Sequence, residues 1–216
     1  MPAENLKPAL AEALRYHEIG SQPDLAYRIS FAGKGNSGAS FGAMQGDLAT
    51  DRPEPKKAFL AALAAAGAPQ AKIDALAETL FGRPHKTNPL SDADTRLIDA
   101  ALVTSRSLVD AMDAEIAADV HADVDKVAAA AAAAGHAIEP KALLYIANWI
   151  NMTGPPTTLL TWVAGEPVSG LATADKGIDE PAIQAYLQSQ KYYRENPATW
   201  PHMVKSVEKG ARLLPA

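Results

Sequence analysis

Two acids in this chain stand where a carboxyl could do proton chemistry: Glu18 and Asp47. Glu18 follows an apolar helical stripe and directly precedes a Gly20-Ser21-Gln22-Pro23-Asp24 break, so it falls at a helix C-terminus. Negative charge is disfavoured there by the helix dipole, and burial beside apolar neighbours acts in the same direction. Both effects keep a carboxyl protonated toward neutral pH. That is what cleavage of a glycosidic bond in water requires of the group beside the leaving oxygen. Asp47 ends the glycine-rich run Gly38-Ala39-Ser40-Phe41-Gly42-Ala43-Met44-Gln45-Gly46 and would be the partner carboxylate, with Asp51 behind it. A partner of this kind activates water or balances positive charge on the sugar.

Competing chemistries find less support. The chain has no cysteine, which excludes thiolate nucleophiles, thiolate zinc sites, iron–sulfur clusters and disulfide frameworks. The five histidines, at 17, 85, 121, 136 and 202, never pair at i,i+4, so no metal site is expected and no cofactor is implied. Gly33 to Gly38 lacks the Gly-Lys-Ser/Thr ending of a phosphate-cradling loop. Gly38-Ala39-Ser40-Phe41-Gly42 matches a serine-hydrolase elbow, but the strand–helix alternation that would carry such an elbow is missing. A net charge of −5 argues against a broad grip on nucleic acid, and no apolar run reaches membrane-spanning length. The N-terminus shows no basic head followed by an apolar stretch, so no secretory signal is read there.

The elements that must position these residues are mostly helical. Leu6, Ala9, Leu10, Ala13, Leu14 and His17 share one stripe, with Pro8 suited to the first turn. Tyr27 to Phe31 and Ala39 to Gln45 read as the two strands of a hairpin around the Gly33–Gly38 turn, the one sheet expected. Helices follow over 56–66, 73–81, 92 to beyond 109, 140–152, 157–164, 178–191 and 200–214. The third of these is capped by Ser91 and expected to run past Ile116 or to break near Asp119; the alanine tract 128–134 reads as helix. Gly82 to Pro89 is the expected soft joint.

The segment Gly38 to Asp47 resembles the central motif of the lysozyme-like superfamily. It is similar to the Gly-Ala-x-Gly-Leu-Met-Gln segment of soluble lytic transglycosylases and the Gly-Phe-Gly-Leu-Met-Gln-x-Asp segment of goose-type lysozymes; phage endolysin muramidases are a further point of comparison. In those families the motif lies on a hairpin facing a glutamate that ends the preceding helix, and Glu18 matches that glutamate in order and context. The resemblance covers roughly residues 6 to 50. It departs in two ways: the stretch between Glu18 and Met44 is longer, and the acid on the outgoing side of the goose-type hairpin falls at Asn36. The downstream Tyr-Asn motif is degenerate, as Tyr145-Ile146-Ala147-Asn148-Trp149-Ile150-Asn151.

The resemblance implies a mainly α (α+β) fold, a single lysozyme-like domain over 1–216. A hairpin lobe of about 19–52 would face a helical lobe of 1–18 and 53–216 across a cleft. The implied activity is cleavage of β-1,4 bonds in peptidoglycan, with Glu18 as general acid and Asp47 as its partner. Lytic transglycosylation by Glu18 alone, action on chitin or chitosan, and a non-catalytic wall-binding module are the alternatives. Substrate contacts are expected from Ser40, Phe41, Met44 and Gln45, and from Asn148, Trp149 and Asn151, whose amides and indole suit an N-acetylated sugar. Arg28 and Lys34 would meet anionic groups, whereas Tyr192, Tyr193 and Trp200 read as packing or surface residues. The expected partner is an amino-sugar polymer outside the cytoplasm, met by a monomer that is secreted, delivered as an effector or released by a phage.

Overall fold

A computed structural model describes residues 6–33, 37–168 and 177–215; Lys34 and Asn36 lie outside the described residues. Among the described residues the chain is mainly helical with two small sheets, and its internal contacts divide it into two units. One unit comprises Met1–Gly20 with Ala118–Ala216, the other Ser21–Ala117. The expected hairpin lobe is thus one part of a unit that also takes in three helices and the start of a fourth.

In the first unit, α1 (Lys7–Ile19) buries Ala9, Leu10, Ala13 and Leu14 completely, as its stripe predicts. Gly20 stops it at φ +60°, its N–H donating to the Tyr16 carbonyl. The other long packing partners are α6 (Pro140–Thr153) and α10 (Trp200–Ala211). Gly210 of α10 lies so close to α1 that a Cβ there would strike the Ala9 carbonyl oxygen and come within 2.8 Å of the Ala13 methyl. Small residues on both helices therefore let the two backbones meet. α7 (Thr157–Val163), α8 (Glu180–Ser189) and α9 (Lys191–Glu195) complete the unit. Asp179 caps α8 by accepting from Ala182 N at 2.9 Å. β4 (Ala137–Ile138) and β5 (Gly177–Ile178) form a parallel pair that the sequence reading did not foresee.

The second unit holds a three-stranded antiparallel sheet, β1 (Ser30–Phe31), β2 (Ala39–Phe41) and β3 (Gly46–Asp47), in the order β1-β2-β3. Residues 42–45, expected to extend the second strand, instead form the turn into β3. Gly42 at φ +87° and Gln45 at φ +49° enforce that reversal. α2 (Pro53–Ala65), α3 (Gln70–Leu80) and α4 (Asp92–Thr104) pack beside it, with Phe59 tilted against Phe41 at 6.3 Å and edge-on to Phe81 at 5.8 Å. Ser91 caps α4 as expected, accepting from Asp94 N at 3.1 Å.

The long helix breaks at Ser105 (φ −106°, ψ 37°), earlier than expected, and α5 (Arg106–Ala133) then runs unbroken through Asp119 and the alanine tract. Its buried stripe explains the continuity: Val109, Met112, Ile116, Val120, Val124, Val127 and Ala131 recur every three or four residues, with Asp119 exposed. The soft joint expected at 82–89 is pinned within the second unit. Gly82 N donates to Leu48 O at 3.0 Å, and His85 N donates to Ser37 O at 3.0 Å. The division between units falls inside α5 instead.

Candidate functional site

Glu18 lies on the last turn of α1 and lines a pocket of about 440 Å³ in the first unit. His17, Met152, Tyr192, Tyr193, Ala198, Thr199 and His202 form the rest of its wall. Glu18 as a whole residue is half-buried, its carboxyl end more deeply so, and Asn151 Nδ2 on α6 donates to its Oε1 at 2.8 Å. Burial pushes the Glu18 carboxyl up to about 7, against the opposing pull of the Asn151 amide, which favours the ionised form. A group in that range exists in both protonation states at neutral pH, so it can give a proton and take one back.

The His17 imidazole beside it behaves in the opposite sense. Burial, reinforced by the neighbouring His202, lowers His17 to about 4 and keeps it neutral. The two rings are tilted with centroids 5.2 Å apart, and His202 Nε2 lies 2.6 Å from the His17 carbonyl oxygen, to which it donates. One side of the pocket is aromatic. Tyr192, 39% exposed, stands edge-on to Tyr193 at 5.1 Å and is tilted over Trp149 at 6.4 Å. Tyr193 is itself edge-on to Trp200 at 5.1 Å, and its hydroxyl contacts Met152 Sδ at 3.7 Å. The tyrosine plane is thus held by edge-on and tilted aromatic neighbours, a surface suited to the apolar face of a sugar ring.

Of the residues expected on α6, Asn151 is brought to Glu18, where its amide serves the carboxylate rather than a ligand. Asn148 and Trp149 are not at the pocket surface: Asn148 is fully buried and donates to Ser206 Oγ at 2.9 Å, and Trp149 lies behind Tyr192. Helical spacing placed both amides on one face, but Asn148 packs into the core while Asn151 stays half-buried against Glu18. Tyr192, read from sequence as a packing or surface residue, takes the exposed aromatic position at the pocket.

Asp47, Ser40, Phe41, Met44 and Gln45 belong to the second unit. Asp47 Oδ1 accepts from Gly38 N at 3.0 Å and Ala49 N at 2.8 Å, and Oδ2 accepts from Gly38 N at 3.2 Å, so this carboxylate braces the hairpin. Phe41 is fully buried; Ser40 and Met44 are also buried. Gln45 is half-buried, its Nε2 donating to Gly42 O at 2.9 Å and its Oε1 accepting from Ser30 Oγ at 2.8 Å. Arg28 is exposed.

A residue with no sequence signal organises this turn. Asp113 on α5 accepts from Ala43 N at 2.7 Å and Met44 N at 2.9 Å. A Cβ at Gly42 would strike the Asp113 carboxylate and come within 2.5 Å of Met112 Cε, so only glycine admits the acid there. Burial raises Asp113 to about 6, the two amides pulling the other way and Asp110 adding to the rise. Asp113→Ala strands both amides and is expected to destabilise the second unit by about 2–4 kcal/mol at neutral pH. Thermal denaturation, with hydrogen exchange at Ala43 and Met44, checks this.

A second expectation concerns Asn151. Its donated bond favours the carboxylate, so Asn151→Leu moves the Glu18 pKa above 7 and leaves the anion unsupported after proton loss. A carboxyl NMR titration of the variant reads the shift, and an unchanged or lowered midpoint contradicts it.

No group of three or more ligating side chains suited to a metal occurs among the described residues, and no helix there is long and apolar enough to cross a membrane. Comparison with family models, with curated proteins and with solved structures finds no match for this chain. The functional reading therefore rests on the pocket itself.

Proposed function

We propose that this protein is a glycosidase with a lysozyme-like fold, cleaving β-1,4 bonds of an amino-sugar polymer, with the glycan strand of peptidoglycan as first substrate. The observation that carries this reading is the Glu18 carboxyl at the wall of an open, tyrosine-sided pocket, hydrogen-bonded by Asn151. Protonated Glu18 gives its proton to the leaving oxygen, and Asn151 steadies the carboxylate that results. Tyr192 offers a ring face for stacking. The chemistry acts on the cell wall, outside the cytoplasm.

One observation favours a form of this chemistry that relies on Glu18 alone. Both oxygens of Asp47 are engaged by backbone amides of the hairpin, which suits a bracing role more than activation of water. Glu18 then serves first as acid and afterwards as base, as in transglycosylation.

The test follows the turbidity of a purified cell-wall suspension with the wild type and with Glu18→Gln, together with product masses. Clearance by the wild type and its loss in the variant support the proposal. Binding to the wall without clearance by either protein assigns a recognition module instead and overturns it.

A further inference from the structure

The pocket holds a second group whose hydrogen-bonding state is set by the buried network behind it. Ser206 of α10 is fully buried and has one hydroxyl proton, which goes to the Met203 carbonyl oxygen at 2.7 Å. Asn148 Nδ2 donates to the same Oγ at 2.9 Å. His17 Nδ1 lies 3.5 Å from that oxygen. With the serine proton spent on Met203, the remaining lone pair of Oγ can only accept, so His17 Nδ1 carries hydrogen. The result survives an inverted Asn148 amide, since the serine proton would then go to Asn148 Oδ1 and still not to His17. A neutral imidazole protonated at Nδ1 has its lone pair at Nε2, on the opposite edge of the ring. His202 also lines the pocket and donates through Nε2 to the His17 carbonyl, which leaves its own acceptor at Nδ1; of the two rings, His17 is the chain neighbour of Glu18 on α1.

We propose that His17 is a water-positioning residue of the Glu18 pocket, its Nε2 accepting one hydrogen of the water that attacks the sugar; this rests on the glycosidase reading above. The steps balance as follows. Glu18 gives its proton to the glycosidic oxygen, the bond from that oxygen to the anomeric carbon breaks, and the leaving sugar departs as an alcohol. Water enters its place, with one O–H toward the Glu18 carboxylate and the other toward His17 Nε2. Its oxygen bonds to the anomeric carbon while its first proton passes to Glu18, which restores the acid. Without a held water, the 6-hydroxyl of the same sugar closes on the anomeric carbon and gives its proton to Glu18, and the product is one water lighter. His17 therefore sets the ratio of hydrolysis to internal closure.

Two measurements on the full chain test this. Imidazole nitrogen NMR of the wild type is expected to show His17 neutral and protonated at Nδ1. A ring protonated at Nε2 overturns the proposal with no reference to substrate. In the second, product masses are compared on peptide-free strands of alternating N-acetylglucosamine and N-acetylmuramic acid. His17→Asn keeps an amide at the Nδ1 position but no acceptor at the reach of Nε2, whereas His17→Gln restores one. The ratio of water-lighter product to hydrolysis product is expected to rise about tenfold in His17→Asn, the worth of one hydrogen bond, and to stay near wild type in His17→Gln. An unchanged ratio in an active His17→Asn overturns the water role and leaves the glycosidase reading standing. Absence of cleavage by the wild type removes that reading and the water role together.

Discussion

Glu18→Gln is expected to lower the rate of glycan cleavage by roughly two to four orders of magnitude, the usual contribution of a general acid. Glutamine keeps the shape of the side chain and can still meet Asn151, but it has no proton to give. The same change should stabilise the first unit at alkaline pH. In the folded chain the Glu18 carboxyl titrates near 7, well above its ordinary value of 4.5, so the folded state binds more protons than the unfolded one between those limits. Wild-type stability from this group is therefore greatest below about pH 4.5 and declines as pH rises through 7. The total decline is on the order of 3 kcal/mol. His17 opposes it: a folded value near 4 against 6.5 costs stability as pH falls from 6.5 toward 4. Because His17 is present in both proteins, comparing the two at each pH cancels it. Melting curves at pH 5 and pH 8 should show Glu18→Gln gaining on wild type at the higher pH, and a constant difference would contradict the buried-acid account.

Gly210→Val is expected to disrupt the first unit more than any single change on the surface of α10. Helix propensity alone favours a side chain over glycine by up to about 1 kcal/mol. The clash outweighs this, because the new Cβ meets the Ala9 carbonyl oxygen and the Ala13 methyl of α1, and a backbone atom cannot rotate aside. Forcing the two helices apart is expected to cost about 3 kcal/mol or more. The loss is functional as well as structural, since α1 carries His17 and Glu18 while α10 carries His202 and Ser206. Reduced melting temperature together with reduced glycan cleavage is the expected result, and a variant as stable as wild type contradicts this packing argument.

The amphipathic elements were legible from spacing alone, and the reason is physical: α1 and α4 each bury one stripe, and α1, α4 and α6 begin or end at a recognisable cap, proline or glycine. Glu18 was legible for the same reason, because the helix that ends at Gly20 fixes its place. The continuous stripe of α5 was also present in the sequence, but the polar Asp119 and the low hydrophobicity of the alanine tract obscured it. What spacing could not reveal were pairings between distant segments. Asp113 gives no local sign that it will accept from Ala43 and Met44. Nor does His202 indicate that its ring will meet His17. Asn148 and Trp149 show the converse limit: residue types suited to a sugar sat on a helix whose surroundings turned out to be core.

The proton on Glu18 is the claim on which the rest depends, and it can be observed without any substrate. A carboxyl-carbon NMR titration of the wild type, with Glu18→Gln used to assign the resonance, should give a midpoint near 7 for this side chain. A midpoint near 4.5, the ordinary value for an exposed glutamate, would contradict a general acid at this position.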